Sequence, residues 1–91
     1  MAYAQAAAHE EEAAMRDVST VARGTGGFMR VYESAGSAKA MRRLRVGNIT
    51  WEKKRDNFVK RHLAQYLTNP TRRRWLALVM WAYRPGDPPD N

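Results

Sequence analysis

The sequence predicts an all-α fold: a small helical domain built on a hairpin of two helices, residues 50–67 and 70–84. Two observations support it. Apolar side chains recur at helical spacing over the first range, and a nearly continuous apolar run, residues 75–83, lies between a helix start signal and a Pro-Gly stop. Around this hairpin we expect a short basic helix over 37–46 and a loosely attached N-terminal helix.

The second hairpin helix, residues 70–84, is apolar on nearly all sides. Asn69 is a suitable N-cap, Pro70 suits the first helical position, and Pro85-Gly86 ends the helix. A helix without a polar face must be enclosed by its own fold or by a partner. Trp75 and Trp81 point to different sides of it; we expect at least one to be buried, and both are candidate partner-contacting residues.

The first hairpin helix, residues 50–67, is amphipathic. Thr50 is a suitable cap, and the apolar side chains fall within one half of the helical wheel. The other half carries four cations: Lys53, Lys54, Lys60 and Arg61. His62 lies on the apolar half, where a core histidine is commoner than a functional one.

Two further segments precede the hairpin. Residues 28–33 alternate in a way that suits one short strand, but a lone strand lacks a pairing partner, so we expect an extended arm packed on the helices. Ser34 or Ser37 can cap the basic helix over 37–46. The order of short helix, glycine turn and second helix at residues 40–51 weakly suggests a helix–turn–helix motif, in which Asn48, Thr50, Lys53 and Lys54 would face DNA.

The remaining segments complete a predicted division into three parts. Residues 1–27 are an Ala/Glu-rich helix followed by a glycine linker, and two interpretations are open for that helix: docked loosely on the core or a partner, or frayed. Residues 28–84 are the basic helical domain. Residues 85–91 are a polar, proline-rich tail.

Charge is distributed unevenly along the 91 residues. The net charge is +7, of which residues 1–34 contribute −2 and residues 35–91 contribute +9. There is no cysteine, which excludes disulfides and thiol chemistry and fits a reducing compartment. No secretory signal or membrane span is recognisable, so we expect a cytoplasmic protein.

Arg72, Arg73 and Arg74 form the most informative cluster. Three cations in the first turn of a helix oppose the macrodipole, so local stability does not explain them. Lys60 and Arg61 would approach them across the hairpin turn and add to the repulsion. We therefore predict that the three arginines bind an anion outside the chain.

Basic residues dominate the stretch from Lys39 to Arg74, with twelve Lys or Arg against two acids. Such surfaces attract phosphate backbones through counterion release, although a solvated cationic surface is the plain alternative. The predicted anion-binding residues are Arg42, Arg43, Lys53, Lys54, Lys60, Arg61, Arg72, Arg73 and Arg74.

Catalysis has little support in the sequence. No nucleophile lies beside a base, no metal motif is present, and we expect no cofactor. Glu52 and Asp56 are four residues apart but suit helix ion pairs better than acid–base chemistry. We predict a non-enzymatic protein that binds nucleic acid or a ribonucleoprotein. Self-association into a homo-oligomer is a further possibility. The alternative is a protein-targeted inhibitor or small subunit of a large assembly, such as a phage-encoded anti-defence (anti-CRISPR-like) protein.

One stretch resembles other proteins. The pattern Arg61-His62-Leu63-x-x-x-Leu67-x-x-Pro70-Thr71-Arg72-Arg73-Arg74 resembles small uncharacterised helical proteins from prophages. The resemblance is confined to residues 61–74, supports no family assignment, and those proteins have no settled function to carry over.

Overall fold

The computed structural model describes all 91 residues and is mostly helical, with one small β-hairpin. The helices are α1 (Tyr3–Ala7), α2 (Glu10–Met15), α3 (Thr20–Arg23), α4 (Phe28–Ala35), α5 (Ala38–Met41), α6 (Trp51–Thr68) and α7 (Arg72–Val79). The strands are β1 (Arg45–Val46) and β2 (Ile49–Thr50). The prediction of a small helical domain is confirmed, whereas "all-α" needs correction because of the two-stranded sheet.

The core is organised around α7. Trp75, Leu76, Leu78 and Val79 are completely buried, as is Met80 directly after the helix. α6 packs on one side of α7 and α2 packs on another, so the helix is enclosed by its own chain. The apolar character of this helix on all sides is therefore explained by its central position in the fold.

The bounds of α7 differ from the predicted 70–84 at both ends. The N-cap is Thr71, whose hydroxyl accepts from the Arg74 backbone N–H at 3.2 Å, while Asn69 and Pro70 remain in the connection. At the other end Ala82 has a left-handed φ of 58°, and Tyr83 N–H donates to Leu78 O at 3.1 Å. This bond closes a Schellman-type C-cap, which stops the helix before the Pro-Gly signal is reached.

α6 agrees closely with the predicted helix over 50–67. Its N-cap is Thr50, whose hydroxyl accepts from the Lys53 backbone N–H at 3.1 Å. Trp51 and Tyr66 are buried, and the helix packs chiefly against α7. The amphipathic pattern correctly predicts both the length of this helix and which of its sides is buried.

The expected extended arm at residues 28–33 is wrong, because this segment is helix α4. Phe28, Met29 and Tyr32 are buried at helical spacing, and the chain leaves the helix through Gly36 at a φ of 78°. Six residues fit both a period of two and a period of 3.6, so only the packing on α1 and α3 decides between them.

The predicted helix over 37–46 is also too long. Ser37 does cap α5, with its hydroxyl accepting from Ala40 N–H at 3.3 Å, but the helix ends at Met41. Val46 then pairs with Ile49 in an antiparallel hairpin, with Gly47 in the turn at a φ of 63°. Glycine with positive φ in a two-residue turn favours this hairpin, so the helix–turn–helix interpretation is wrong.

The N-terminal segment is not one loosely attached helix, as predicted, but three short helices. Ala6 and Ala13 are completely buried, and α2 packs directly against α7. Gly27 lies so close to the Val21 carbonyl that a Cβ there would be 2.1 Å from the oxygen. The lack of a side chain at Gly27 allows the start of α4 to lie against the backbone of α3. The division at residue 27 into separate parts stays a prediction.

The C-terminal segment also packs on α7. Trp75 Nε1 donates to the carbonyl of Gly86 at 3.0 Å, and Arg72 donates to the carbonyl of Pro89 at 3.2 Å. No helix combines the length and the apolar composition needed to cross a bilayer.

Candidate nucleic-acid interface

One side of α6 carries four exposed cations, Lys53, Lys54, Lys60 and Arg61, which we call the basic face. They are exposed because the opposite side of the helix is fixed against the core by Trp51 and Tyr66. The Lys54 ammonium lies 5.3 Å from the centroid of the Trp51 ring, a cation–π distance.

The basic face contains no acidic side chain. The acids of α6, Glu52 and Asp56, project toward its flank, where Glu52 pairs with Arg42 and Asp56 lies 3.6 Å from Arg55. None of the four cations forms an ion pair with an acid of the chain. Their positive potentials add, which suits a polyanion better than a single acidic group.

Arg74 extends this surface at the C-terminal end of α6. Its Nη1 donates to the carbonyl of Asn69 at 3.0 Å, so the side chain is held beside the last turn of the helix. The side chain is exposed. Of the three arginines at the start of α7, this one lies beside the end of α6.

Arg72 does not lie free for an external anion, which corrects the sequence-based interpretation. Its guanidinium forms a two-bond pair with Glu12, in which Nη2 is 2.8 Å from Oε1, and the two side chains are only 24 % and 28 % exposed. The hydrogen bonds from Arg72 lower the pKa of the Glu12 carboxyl. The repulsion expected at this helix start is thus relieved by an acid sixty residues earlier in the chain.

Arg73 contacts the N-terminal segment by donating to the Arg16 carbonyl, although its side chain remains largely exposed. The structure therefore separates the three arginines, which are consecutive in sequence, into three environments. Only Arg74 adjoins the basic face. Consecutive residues of a helix point about 100° apart, which accounts for the separation.

A second group of cations lies before α6. Arg42 pairs with Glu52 at 2.8 Å, with both side chains well exposed, and Arg43 is exposed without a partner in the chain. Arg45 donates to the carbonyl of Asn48 at 2.7 Å within the β-hairpin. Arg45 was absent from the predicted set, although its place in the Arg-Arg-x-Arg run was a usable signal.

Trp75 and Trp81, the predicted partner-contacting residues, belong to the core. Trp75 is completely buried, and Trp81 stacks on Phe58 at 4.6 Å and on Phe28 at 4.8 Å between ring centroids. Neither indole has a surface free for a protein partner. The apolar side chains of α7 are explained by their burial in the core of the fold.

An open cleft of about 750 Å³ lies near the start of the chain and the end of α7. Its lining includes His9, Arg55, Tyr83 and Arg84. Both arginines are already engaged: Arg55 donates to two carbonyls after α7 at 2.9 and 2.8 Å, and Arg84 is 3.2 Å from Asp87. The cleft is therefore a weaker candidate for anions than the basic face.

No protein-family model matches this chain, and no curated protein and no solved structure shows significant similarity to it.

Proposed function

We propose that this chain is a small non-enzymatic binding protein whose basic face contacts the phosphates of a nucleic acid. The observation that carries the proposal is the exposure of Lys53, Lys54, Lys60 and Arg61 together on one side of α6, with none of the four in an ion pair within the chain. Arg74 adds a fifth cation at the end of the same surface.

Four like charges on one side of α6 repel one another, and this self-repulsion opposes folding. None of the four cations forms an ion pair within the chain. The acids that would relieve this repulsion are used elsewhere, since Glu12 pairs with Arg72 and Glu52 pairs with Arg42. A phosphate backbone would neutralise the five cations and release its own counterions.

Titration of affinity with salt tests the proposal. Five phosphate contacts predict that log K falls with log salt at a slope of about −4.5 on duplex DNA. The assay is fluorescence anisotropy of the full chain on labelled random-sequence duplex DNA, single-stranded DNA and duplex RNA. A protein that binds none of the three probes at about 50 mM salt would refute the proposed function.

A charge-matched pair of variants locates the surface. Lys60→Gln with Arg61→Gln should make the slope shallower by about two units, because two phosphate contacts are lost. Lys39→Gln with Arg84→Gln removes the same charge away from the basic face and should leave the slope nearly unchanged. Equal effects of the two double variants would assign binding to net charge and contradict the role of this face.

The alternative, a protein-targeted inhibitor or subunit, is favoured by a different observation. Met15 and Val21 are 81 % and 84 % exposed, high values for apolar side chains, and both lie in the N-terminal segment. Single exposed apolar residues are common on protein surfaces, so they support this function less than the basic face supports nucleic-acid binding.

A further inference from the structure

The basic face of α6 has a neutral centre line with cations on both sides. At about 100° per residue, Ala64 and Thr68 lie within about 20° of Asn57 around the helix. Lys53 and Lys60 lie about 40–60° to one side, and Lys54 and Arg61 lie about 40–60° to the other. All seven of these residues are exposed.

The cations are also paired along the helix. On each side the two positive residues are seven positions apart, which is about 10 Å along the axis. Lys53 and Lys54 precede Asn57 by about a turn, and Lys60 and Arg61 follow it by about a turn. Two rows of cations separated by a strip of small uncharged residues fit two phosphate strands bordering a groove.

We propose that α6 enters the major groove of B-form DNA and that Asn57 contacts base edges there. The proposal rests on the proposed function and adds the form of the nucleic acid and a specificity-determining residue. An α-helix about 10–12 Å across fits a major groove about 12 Å wide. The flanking cations then contact the phosphates of both strands, while the centre line faces the base pairs.

Asn57 is the residue of the centre line that has groups free for a base. Its side chain is exposed and has no hydrogen-bond partner in the chain, whereas the Thr68 hydroxyl donates to the Ala64 carbonyl at 3.0 Å. The asparagine amide pairs with N6 and N7 of adenine in the major groove. Ala64, two turns further on, offers only a methyl group, which suits the methyl of thymine.

The same surface is unsuited to other nucleic acids. Proteins that hold single strands stack bases on exposed aromatic side chains, but Trp51, Tyr66, Trp75 and Trp81 are all buried. The major groove of A-form RNA is too deep and narrow for side chains to read. A helix that presents its neutral centre line between two rows of cations therefore suits B-form DNA best.

The test compares the full-length parent with Asn57→Ala and with the matched control Gln65→Ala. Alanine favours helix formation, so the first variant keeps α6 intact. Gln65 is also an exposed amide on α6 but lies about 80° from the centre line, beyond the cations. Sequences are first selected from a randomised duplex pool with the parent, and affinities are then measured on the selected duplex and on its copies with single A·T pairs replaced.

We expect the parent to select a sequence containing an essential adenine. Asn57→Ala should reduce discrimination at that position by about 5- to 150-fold and leave affinity for unrelated duplex nearly unchanged. Gln65→Ala should retain the discrimination. The RNA duplex of the same sequence should bind more weakly than the DNA.

Three results would overturn the proposal while leaving phosphate binding intact: no sequence preference in the parent, full discrimination in Asn57→Ala, or equal affinity for RNA and DNA duplexes. Absence of binding to every nucleic acid would instead remove the proposed function itself. The two failures are therefore distinguishable in one set of measurements.

Discussion

Gly27→Ala should destabilise the whole protein, because at Gly27 the backbones of α3 and α4 touch. The new Cβ would lie 2.1 Å from the Val21 carbonyl oxygen and 2.7 Å from that of Ala22. Both oxygens belong to backbone, so they cannot rotate away as a side chain does. The Gly27 backbone itself, at φ −82° and ψ 175°, is one that alanine adopts freely. The whole cost therefore comes from the contact.

The size of the effect follows from the closeness of that contact. Overpacking a core costs about 1–3 kcal/mol and occasionally more, and a contact this short places Gly27→Ala at about 3 kcal/mol or above. For a domain of this length each kcal/mol lowers Tm by about 4–8 °C. We therefore expect Tm to fall by about 12–24 °C.

The loss of stability is measured by thermal and urea unfolding, followed by far-UV circular dichroism and by tryptophan fluorescence. All three tryptophans lie after residue 50, so fluorescence reports on the part of the chain that the sequence assigns to the basic domain. Gly36→Ala is the control: its Cβ would meet nothing within 4 Å, and its φ of 78° adds about 1–2 kcal/mol of strain.

A loss of stability in Gly27→Ala no larger than that in Gly36→Ala would show that the backbone contact at Gly27 is not critical. A fluorescence transition that stays in place, while part of the circular dichroism signal is lost separately, would show that the contact does not stabilise the whole protein. In that case residues 1–27 unfold separately from residues 28–84, which agrees with the division of the chain predicted at residue 27.

Two predictions concern pH. The pKa of Glu12 is lowered, chiefly by hydrogen bonds from Arg72, so its carboxylate stabilises the fold above its ordinary pKa of 4.5 and this contribution is lost as pH falls through the folded value. The difference in unfolding free energy between the parent and Glu12→Gln should therefore be largest near neutral pH and shrink toward about pH 3; a constant difference would contradict the ion pair. The pKa of His62 is lowered by burial and then by Arg61, so stability is full above the ordinary 6.5 and falls as pH drops below it. Urea unfolding between about pH 7 and pH 5 should show a smaller loss in His62→Leu than in the parent, and an equal loss would assign the pH dependence to other groups.

The part of the candidate site on α6 could be predicted from the sequence. Thr50 caps the helix as expected, and Lys53, Lys60 and Arg61 are exposed as the helical wheel indicated. These features are local: a cap acts within one turn, and an amphipathic pattern fixes which side of a helix is buried whatever it packs against. The same is true of the strongly apolar character that places α7 in the core.

What only the tertiary structure decided depends on contacts between distant segments. The burial of Ala6 and Ala13 leaves no mark in the sequence, because alanine suits exposed and closely packed helices equally. The role of Arg72 depends on Glu12, sixty positions away, and no helix-dipole argument on residues 70–74 contains that carboxylate. The chain itself determined which side chains carry charge, and the packing of α2 against α7 determined that Arg72 is already paired with Glu12.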